Sequence, residues 1–232
     1  MRHTLLFIAF ACFFAGPVTV LGALQVCSFN IQVFGTKKMA NPKVVDVLKK
    51  TIRRCDVMLI MEIRDSSDTA IYELLKTVNS RLKKTSRYEM IISDRAGRSN
   101  SKEQYAFFYK PSRLTVVDKY SYKPAKAFER TPFLAKFKTT NSKTKEFFFV
   151  ALHSKPEDTP NELNELISVY KDGVEKFKTK DAILMGDFNA DCGYFNVGDR
   201  KTSKFYNDNT FTWIVPDNAD TTTKSSDCAY DR

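Results

Sequence analysis

The sequence predicts a single α/β domain in which helices flank packed β-sheets. Its 232 residues are enough for one sizeable hydrophobic core, and no repeat, linker or low-complexity segment divides the chain. Predicted strands outnumber predicted helices. Several of these strands are continuous apolar runs, which must be covered on both faces, whereas others alternate between apolar and polar residues.

The N-terminal segment predicts a secretory signal peptide over residues 1–22. Arg2 provides a charged start, an apolar run follows at 5–16, and small residues lead up to position 22. The run is short and Pro17 follows it, which argues against a membrane anchor. We therefore expect residues 23–232 to form a folded domain without a membrane span, secreted or held in the secretory pathway.

The first half of the domain alternates strands with helices. A strand is predicted at 24–30, and Asn41-Pro42 opens a helix to 54 with aliphatic residues on one face. The near-continuous apolar run at 57–61 predicts a buried strand, and an apolar stripe predicts a second helix at about 67–83.

The second half is richer in strands. The apolar patterns predict strands at 88–93, 105–109, 114–120, 133–138, 147–152 and 182–185, with a polar, basic loop at 95–103. Thr159-Pro160-Asn161-Glu162 has the form of a capping box with proline at the first helical position. The helix that it opens carries apolar residues at helical spacing up to Phe177, and we expect that stripe to pack in the core.

The charge balance favours a polyanionic partner. The whole chain carries +10, and without the signal segment 36 basic residues face 27 acidic ones, a net charge of +9. Nucleic acid, a heparin-like glycan or an anionic lipid would suit this charge, and improved solubility is the alternative reason for it.

The cysteines indicate an oxidising compartment. Cys12 lies in the signal segment, and the four remaining cysteines allow three pairings. Cys27 and Cys55 lie in apolar contexts that suit buried free thiols, whereas Cys192 and Cys228 lie in polar loops, and we expect those two to pair. A structural zinc site is not expected, because there is no Cys-x-x-Cys and the mature chain keeps one histidine.

Polar side chains of catalytic type follow four of the apolar strands. They are Asn30, Glu62, His153 and, after the break at Gly186, the pair Asp187 and Asn189. In α/β folds such strand ends usually form the rim on which ligands bind. Hard oxygen ligands with one titratable imidazole suit phosphoryl chemistry assisted by magnesium or calcium.

Six motifs together resemble the deoxyribonuclease I family. They are SFNIQVFG (28–35), MEIRD (61–65), KEQY (102–105), ALHS (151–154), MGDFNADC (185–192) and CAYDR (228–232), and they span essentially the whole mature chain. The basic charge and KEQY look more like the deoxyribonuclease-gamma branch. The resemblance implies a four-layer sandwich of two packed mixed β-sheets flanked by helices. It also implies metal-dependent endonucleolytic hydrolysis of DNA with low sequence specificity.

The resemblance assigns roles at the candidate site. Asn30 and Glu62 match a pair that binds Mg²⁺ or Mn²⁺, and His153 matches a catalytic acid/base oriented by Glu103. The remaining matches are Asp187 and Asn189 for the phosphate and the attacking water, Arg64 for the minor groove, Arg130 for a phosphate, Asp220 and Thr222 for a structural Ca²⁺ loop, and Cys192 with Cys228 for the main disulfide.

This chain departs from the family pattern in several places. Ser101 replaces a minor-groove tyrosine, so we expect a weaker groove contact, and Gln32 replaces an arginine. The basic segment 122–128 replaces an acidic loop, so a second calcium site and its disulfide are not expected.

The resemblance also sets an expectation for the end of the chain. The family continues to a Ser-Asp-His motif that carries a second catalytic histidine, whereas the sequence stops at Arg232. Asp231 matches the carboxylate that orients that histidine. We therefore expect a C-terminally truncated fold with an exposed sheet edge, and catalysis impaired by orders of magnitude.

Two other functions stay open from the sequence. The chain could bind DNA without turnover, or act on another phosphodiester or phosphate ester, as abasic-site nucleases, inositol-phosphate phosphatases and sphingomyelinases of the wider superfamily do. The sequence predicts a monomer and gives no support for actin binding.

Overall fold

The computed structural model describes residues 23–98, 101–123, 125–139, 143–223 and 225–232. The predicted signal peptide, residues 1–22, lies outside the described residues. Within the described part of the chain, no helix combines the length and the apolarity needed to cross a membrane.

The first half of the chain forms one four-stranded mixed sheet. Its strands are β1 (Val26–Phe34), β2 (Val57–Ile63), β3 (Glu89–Ile92) and β4 (Gln104–Tyr109), in the order β1-β2-β4-β3. β1 and β2 are parallel, and the other two pairings are antiparallel. The helices of this half are α1 (Thr36–Met39), α2 (Pro42–Ile52) and α3 (Ala70–Val78).

The second half forms a second four-stranded mixed sheet. Its strands are β5 (Thr115–Ser121), β6 (Phe133–Lys138), β7 (Glu146–Ala151) and β8 (Ala182–Met185), in sequential order. β7 and β8 are parallel and are connected through α4 (Thr159–Phe177). A short helix, α5 (Val197–Thr202), follows β8.

The two sheets pack face to face around a core of aromatic rings. Phe107 of the first sheet stacks on Phe149 of the second, with ring centroids 5.3 Å apart. A second cluster joins the outer face of the first sheet to α2 and α3, and a third joins the second sheet to α4. The predicted four-layer sandwich is therefore confirmed. The strands that read as continuous apolar runs are buried because each is covered on both faces.

The helix predicted at 67–83 spans Ala70–Val78, and its later start is due to Asp65. The Asp65 carboxylate accepts main-chain hydrogen bonds from Ser67 and Thr69 (3.0 and 2.8 Å) and from Ala70 (2.7 Å). The residues before Ala70 therefore form a capping turn instead of a first helical turn.

The capping box predicted at Thr159 is wrong. Thr159 is already helical, and its hydroxyl donates to the carbonyl of Lys155 at 3.1 Å. Glu162 does not turn back to the amide of Thr159, because its carboxylate accepts hydrogen bonds from Glu129 and Lys155 instead.

Two disulfides lie within the part of the chain that the structure describes. Cys192 and Cys228 pair as expected, with Cα atoms 5.9 Å apart. Cys27 and Cys55 are also bonded, with Cα atoms 6.1 Å apart, so the expectation of two free thiols is wrong. An apolar setting does not distinguish a free thiol from a disulfide. The parallel pairing of β1 and β2 brings the starts of the two strands together, and with them these cysteines.

β1 and β8 are the edge strands on one side of the sandwich. A cavity of about 470 Å³ lies between them, lined mainly by apolar side chains that include Val26, Ile183 and Trp213. Ile214 beside it is 82% exposed. An apolar surface therefore lies beside these two edge strands in the described part of the chain.

Candidate active site

The polar strand ends meet in one cavity at a single end of the sandwich. The cavity measures about 610 Å³, and its lining includes Asn30, Glu62, His153, Asp187 and Asn189. Asn30 lies within β1 just before its register shift, Glu62 lies near the end of β2, and the other three follow β7 and β8. Because the strands belong to both sheets, the site straddles the interface between them.

One wall of the cavity holds two carboxylates around one amide. Nδ2 of Asn30 lies 3.0 Å from Oε1 of Glu62 and 3.0 Å from Oδ2 of Asp187. The amide donates to both carboxylates, while its Oδ1 accepts the main-chain N–H of Gln32 at 2.9 Å, and two carboxylates side by side fit a hard divalent cation. Among the described residues no cluster of three or more carboxylate, His or Cys side chains forms a metal site. With the Asn30 amide turned so that its oxygen faces the two carboxylates, these three side chains would offer a cation three oxygen ligands.

A bulge in β1 shapes this wall. The register between β1 and β2 shifts after Asn30, and Gln32, Val33 and Glu62 all have positive φ angles of 47 to 58°. Such angles are strained for these residue types and persist only where contacts impose them. Here the amide of Val33 donates to Oε2 of Glu62 at 2.8 Å.

Lys38 holds the bulge from α1. Its ammonium donates to the carbonyl of Ile31 at 2.8 Å and also to that of Gln32. No motif pointed to this lysine, because in the sequence it is one of many surface cations.

Opposite the carboxylates, His153 pairs with Glu103. Nδ1 of the imidazole lies 2.9 Å from Oε2 of Glu103, which is 3% exposed. Burial alone would raise the pKa of Glu103. The hydrogen bond and charge of His153, together with Arg130 and Arg64, instead lower that pKa to about 2. Glu103 is therefore ionised at neutral pH and keeps a proton on Nδ1, which leaves Nε2 to face the cavity.

Two arginines complete the surroundings of Glu103. Arg64 donates from Nε and Nη2 to Oε1 at 3.0 and 2.6 Å, and Nε of Arg130 lies 3.0 Å from Oε2. Arg130 also donates to the carbonyl of His153 at 3.3 Å. Both were predicted as DNA contacts. In the structure they act first as counter-ions of the carboxylate that orients the histidine.

The main chain of His153 is held by a buried phenol. Its amide donates to the hydroxyl of Tyr105 at 2.9 Å, and burial raises the pKa of that tyrosine well above its usual range. No sequence pattern pointed to this contact, because Tyr105 reads as an ordinary aromatic residue of a core strand.

A glycine brings the two catalytic loops together. Gly186 has φ of +145°, and a Cβ atom there would lie 2.0 Å from the carbonyl oxygen of Leu152. This close approach places Oδ2 of Asp187 3.9 Å from Nε2 of His153. Asn189 donates from Nδ2 to the carbonyl of Ser154 at 3.1 Å, so both loops are fixed relative to each other.

Asp231 lies in the same cavity, next to Asp187. The two residues form an antiparallel bridge, and the amide of Asp231 donates to Oγ1 of Thr221 at 3.0 Å. Burial and the charge of Asp187 raise the pKa of Asp231 to about 7. The disulfide between Cys192 and Cys228 ties this C-terminal segment to the loop after β8.

The remaining predicted residues lie farther out. Ser101 is exposed in the loop before β4. Thr222 lines the cavity, and both its amide and its hydroxyl donate to Oδ1 of Asp220, at 2.9 and 2.7 Å. One carboxylate alone is a weak calcium ligand set, so Ca²⁺ in this loop would depend on main-chain oxygens and water.

Comparison with known proteins agrees with this geometry. A model of the Endonuclease/Exonuclease/phosphatase family matches residues 27–230. Deoxyribonuclease-1 of Bos taurus is 39% identical over 94% of this chain and 79% of its own length. Deoxyribonuclease gamma of Mus musculus is 40% identical over 90% of this chain and 70% of its own length.

Solved structures show the same fold at low identity. The catalytic domain of human Nocturnin, solved with a bound sulfate anion, superimposes with a TM-score of 0.53 at 14% identity. The match covers 79% of this chain and 67% of that domain.

Proposed function

Because the chain belongs to the endonuclease/exonuclease/phosphatase family, and within it to the deoxyribonuclease I family near the gamma branch, we propose that it is a deoxyribonuclease. It hydrolyses phosphodiester bonds within DNA, depends on a divalent cation and has low sequence specificity. The two disulfides fit an oxidising compartment, and we propose that the protein is secreted and acts as a monomer.

One observation carries the proposal. A carboxylate-oriented imidazole, His153 with Glu103, faces the carboxylates of Glu62 and Asp187 across a single open cavity. Phosphodiester hydrolysis needs a group that moves a proton and a group that offsets charge on the phosphate, and the cavity offers one on each side.

His153 is proposed as the proton-transfer group. Glu103 fixes a proton on Nδ1, so Nε2 can accept a proton from a water molecule or return one to the leaving oxygen. The 3.9 Å between Nε2 and Oδ2 of Asp187 is too long for a direct hydrogen bond. A water or a phosphate oxygen between the two atoms would contact both.

Asn30, Glu62 and Asp187 are proposed to hold Mg²⁺ or Mn²⁺. A bound cation would supply charge neutralisation at a non-bridging phosphate oxygen. Asn189 is proposed to orient the phosphate. Asp231 is proposed to orient a second group that transfers a proton in the same cavity, as the matching carboxylate of the family does.

DNA is proposed to approach over the basic side of the cavity. Arg95 and Arg98 lie in the loop before Glu103, and Arg95 donates to the carbonyls of Asp65 and Lys102. Arg64 and Arg130 are 29% and 13% exposed, which leaves part of each guanidinium open to a phosphate. Contacts of this kind position the duplex without reading its sequence.

Plasmid nicking tests the proposal. The purified chain is incubated with supercoiled plasmid in Mg²⁺ and Ca²⁺, beside Glu103→Ala and His153→Ala. We expect nicking that EDTA abolishes and that both substitutions reduce by about 10²- to 10⁴-fold.

Two results would reject the proposal. Nicking that needs no metal, or that both variants retain, would show that the activity does not come from this site. Salt-sensitive DNA binding without any nicking would instead support the DNA-binding alternative.

A further inference from the structure

Glu162 is a completely buried acid outside the cavity. It lies in the first turn of α4, and its two carboxylate oxygens bond to different loops. Oε1 accepts the main-chain N–H of Glu129 at 2.7 Å, and Oε2 accepts that of Lys155 at 3.2 Å. The carboxylate thus satisfies two amide donors that belong to other segments.

Both segments carry candidate active-site residues. Glu129 directly precedes Arg130, the counter-ion of Glu103, and Lys155 follows two residues after His153. Glu162 therefore fixes the main chain beside Arg130 and the turn beyond His153 to the same helix.

The connection extends to the basic loop. Oε1 of Glu129 accepts the main-chain N–H of Arg98 at 3.0 Å, and the Arg98 guanidinium donates to the carbonyl of Lys126. The loop that carries Arg98 is thus joined to the segment that Glu162 anchors.

A carboxylate suits position 162 better than an apolar side chain or a glutamine would. Burial raises the pKa of Glu162 to about 7, with the amides of Glu129 and Lys155 acting in the opposite direction. An apolar residue would leave two buried N–H groups unpaired, which destabilises the fold. Glutamine could accept from only one of them and would turn a second donor toward the other.

Building on the proposed nuclease function, we propose that Glu162 is a positioning residue of the active site. It holds Arg130 and the turn after His153 at the spacing that a bound phosphodiester requires. It touches neither the cavity nor the predicted metal ligands, and it acts through Arg130 and the turn after His153.

The test compares two identical changes on one helix. Glu162→Gln is measured beside Glu165→Gln, whose side chain is exposed on α4. We expect kcat/KM for DNA cleavage to fall about 10- to 100-fold in the first variant, since small misplacements of reacting groups cost this much. The second variant should stay within about twofold of the wild type, as surface changes usually do.

A double variant separates positioning from general stability. In the Arg130→Ala background, Glu162→Gln should cost clearly less than in the wild type, because one of the two groups that it positions is already gone. Equal losses in both backgrounds, or no greater loss than in Glu165→Gln, would overturn the inference. If Glu162→Gln does not unfold cooperatively, Glu162→Asp replaces it, because it keeps the charge but is one methylene too short to reach both amides, and the same losses are expected.

DNA binding distinguishes this inference from the proposed function. If the wild-type chain shows no cleavage, the proposed function fails. The same variants are then compared by DNA affinity at low salt. Equal weakening by Glu162→Gln and Arg130→Ala would support positioning through Arg130, whereas unchanged affinity in Glu162→Gln would overturn it.

Discussion

Nδ1 of His153 lies 2.9 Å from Oε2 of Glu103, at the centre of a buried group of charges. Glu103→Gln removes the charge that fixes the imidazole tautomer. We expect kcat for DNA cleavage to fall about 10²- to 10⁴-fold. Initial-rate kinetics on plasmid DNA would measure the loss, with the exposed Glu73→Gln on α3 as control. A kcat within threefold of wild type would contradict the role of Glu103.

The carboxylate of Glu62 shares the amide of Asn30 with Asp187. Glu62→Gln should raise the Mg²⁺ concentration for half-maximal cleavage at least about tenfold, because a neutral amide is a weaker ligand for a hard cation. Calorimetric Mn²⁺ binding provides a readout that does not depend on turnover. The exposed Glu175→Gln is the matched control, and equal Mn²⁺ affinity in both variants would remove Glu62 from the metal site.

Gly186 and Gly193 offer a matched pair of substitutions in one loop. A Cβ atom at Gly186 would lie 2.0 Å from the Leu152 carbonyl oxygen, whereas at Gly193 nothing lies within 4 Å. Gly186→Ala should therefore lower the free energy of unfolding by about 3 kcal/mol or more, and Gly193→Ala by less than about 1 kcal/mol. Denaturant unfolding measures both values. Similar values for the two variants would mean that the main-chain contact at Gly186 is not as close as described.

The bond between Cys27 and Cys55 closes a loop across 28 residues. Replacing both cysteines with alanine should lower the free energy of unfolding by about 2–4 kcal/mol. The bond joins the starts of β1 and β2, away from Asn30 and Glu62, so kcat should be unchanged. Thiol titration of the denatured, unreduced protein should find no free thiol at either position, and reactive thiols there would contradict the pairing.

Asp65 should make stability depend on pH in the acid range. Burial alone would raise the pKa of Asp65, but hydrogen bonds from Ala70, Ser67 and Thr69 lower it from 3.8 to about 2. Because the pKa is lower in the folded state, this stabilisation is present above about pH 4 and is lost as the pH falls toward 2. It amounts to about 2 kcal/mol.

Urea unfolding of wild type and Asp65→Asn at several pH values measures this effect. The difference between the two should be largest near neutral pH and should shrink below pH 4. A difference that stays constant with pH would show that the carboxylate charge does not stabilise the capping turn.

The sequence predicted the site better than it predicted the contacts that support it. Asn30, Glu62, His153 and Asp187 stand at the ends of apolar strands, and the order of those strands brings the ends together. Supporting contacts such as Tyr105 with His153 join residues 48 positions apart, and no local pattern encodes them.

The errors have a common physical origin. Thr159 and Glu162 have the spacing of a capping box, but the tertiary fold offers Glu162 two better donors in other loops. Cys27 and Cys55 read as core residues, and Cys55 is buried while Cys27 is partly buried, but only the pairing of β1 with β2 reveals that they meet. Local propensity fails where a long-range contact supplies a stronger partner.

The interface position of the site has a consequence for folding. Asn30 and Asp187 are 157 residues apart, and they come into contact only when the first and second sheets dock. A partly folded chain with one complete sheet would have native secondary structure but half of the catalytic groups. In a refolding experiment, the return of cleavage should therefore lag behind the circular dichroism signal and report the non-local step that limits folding.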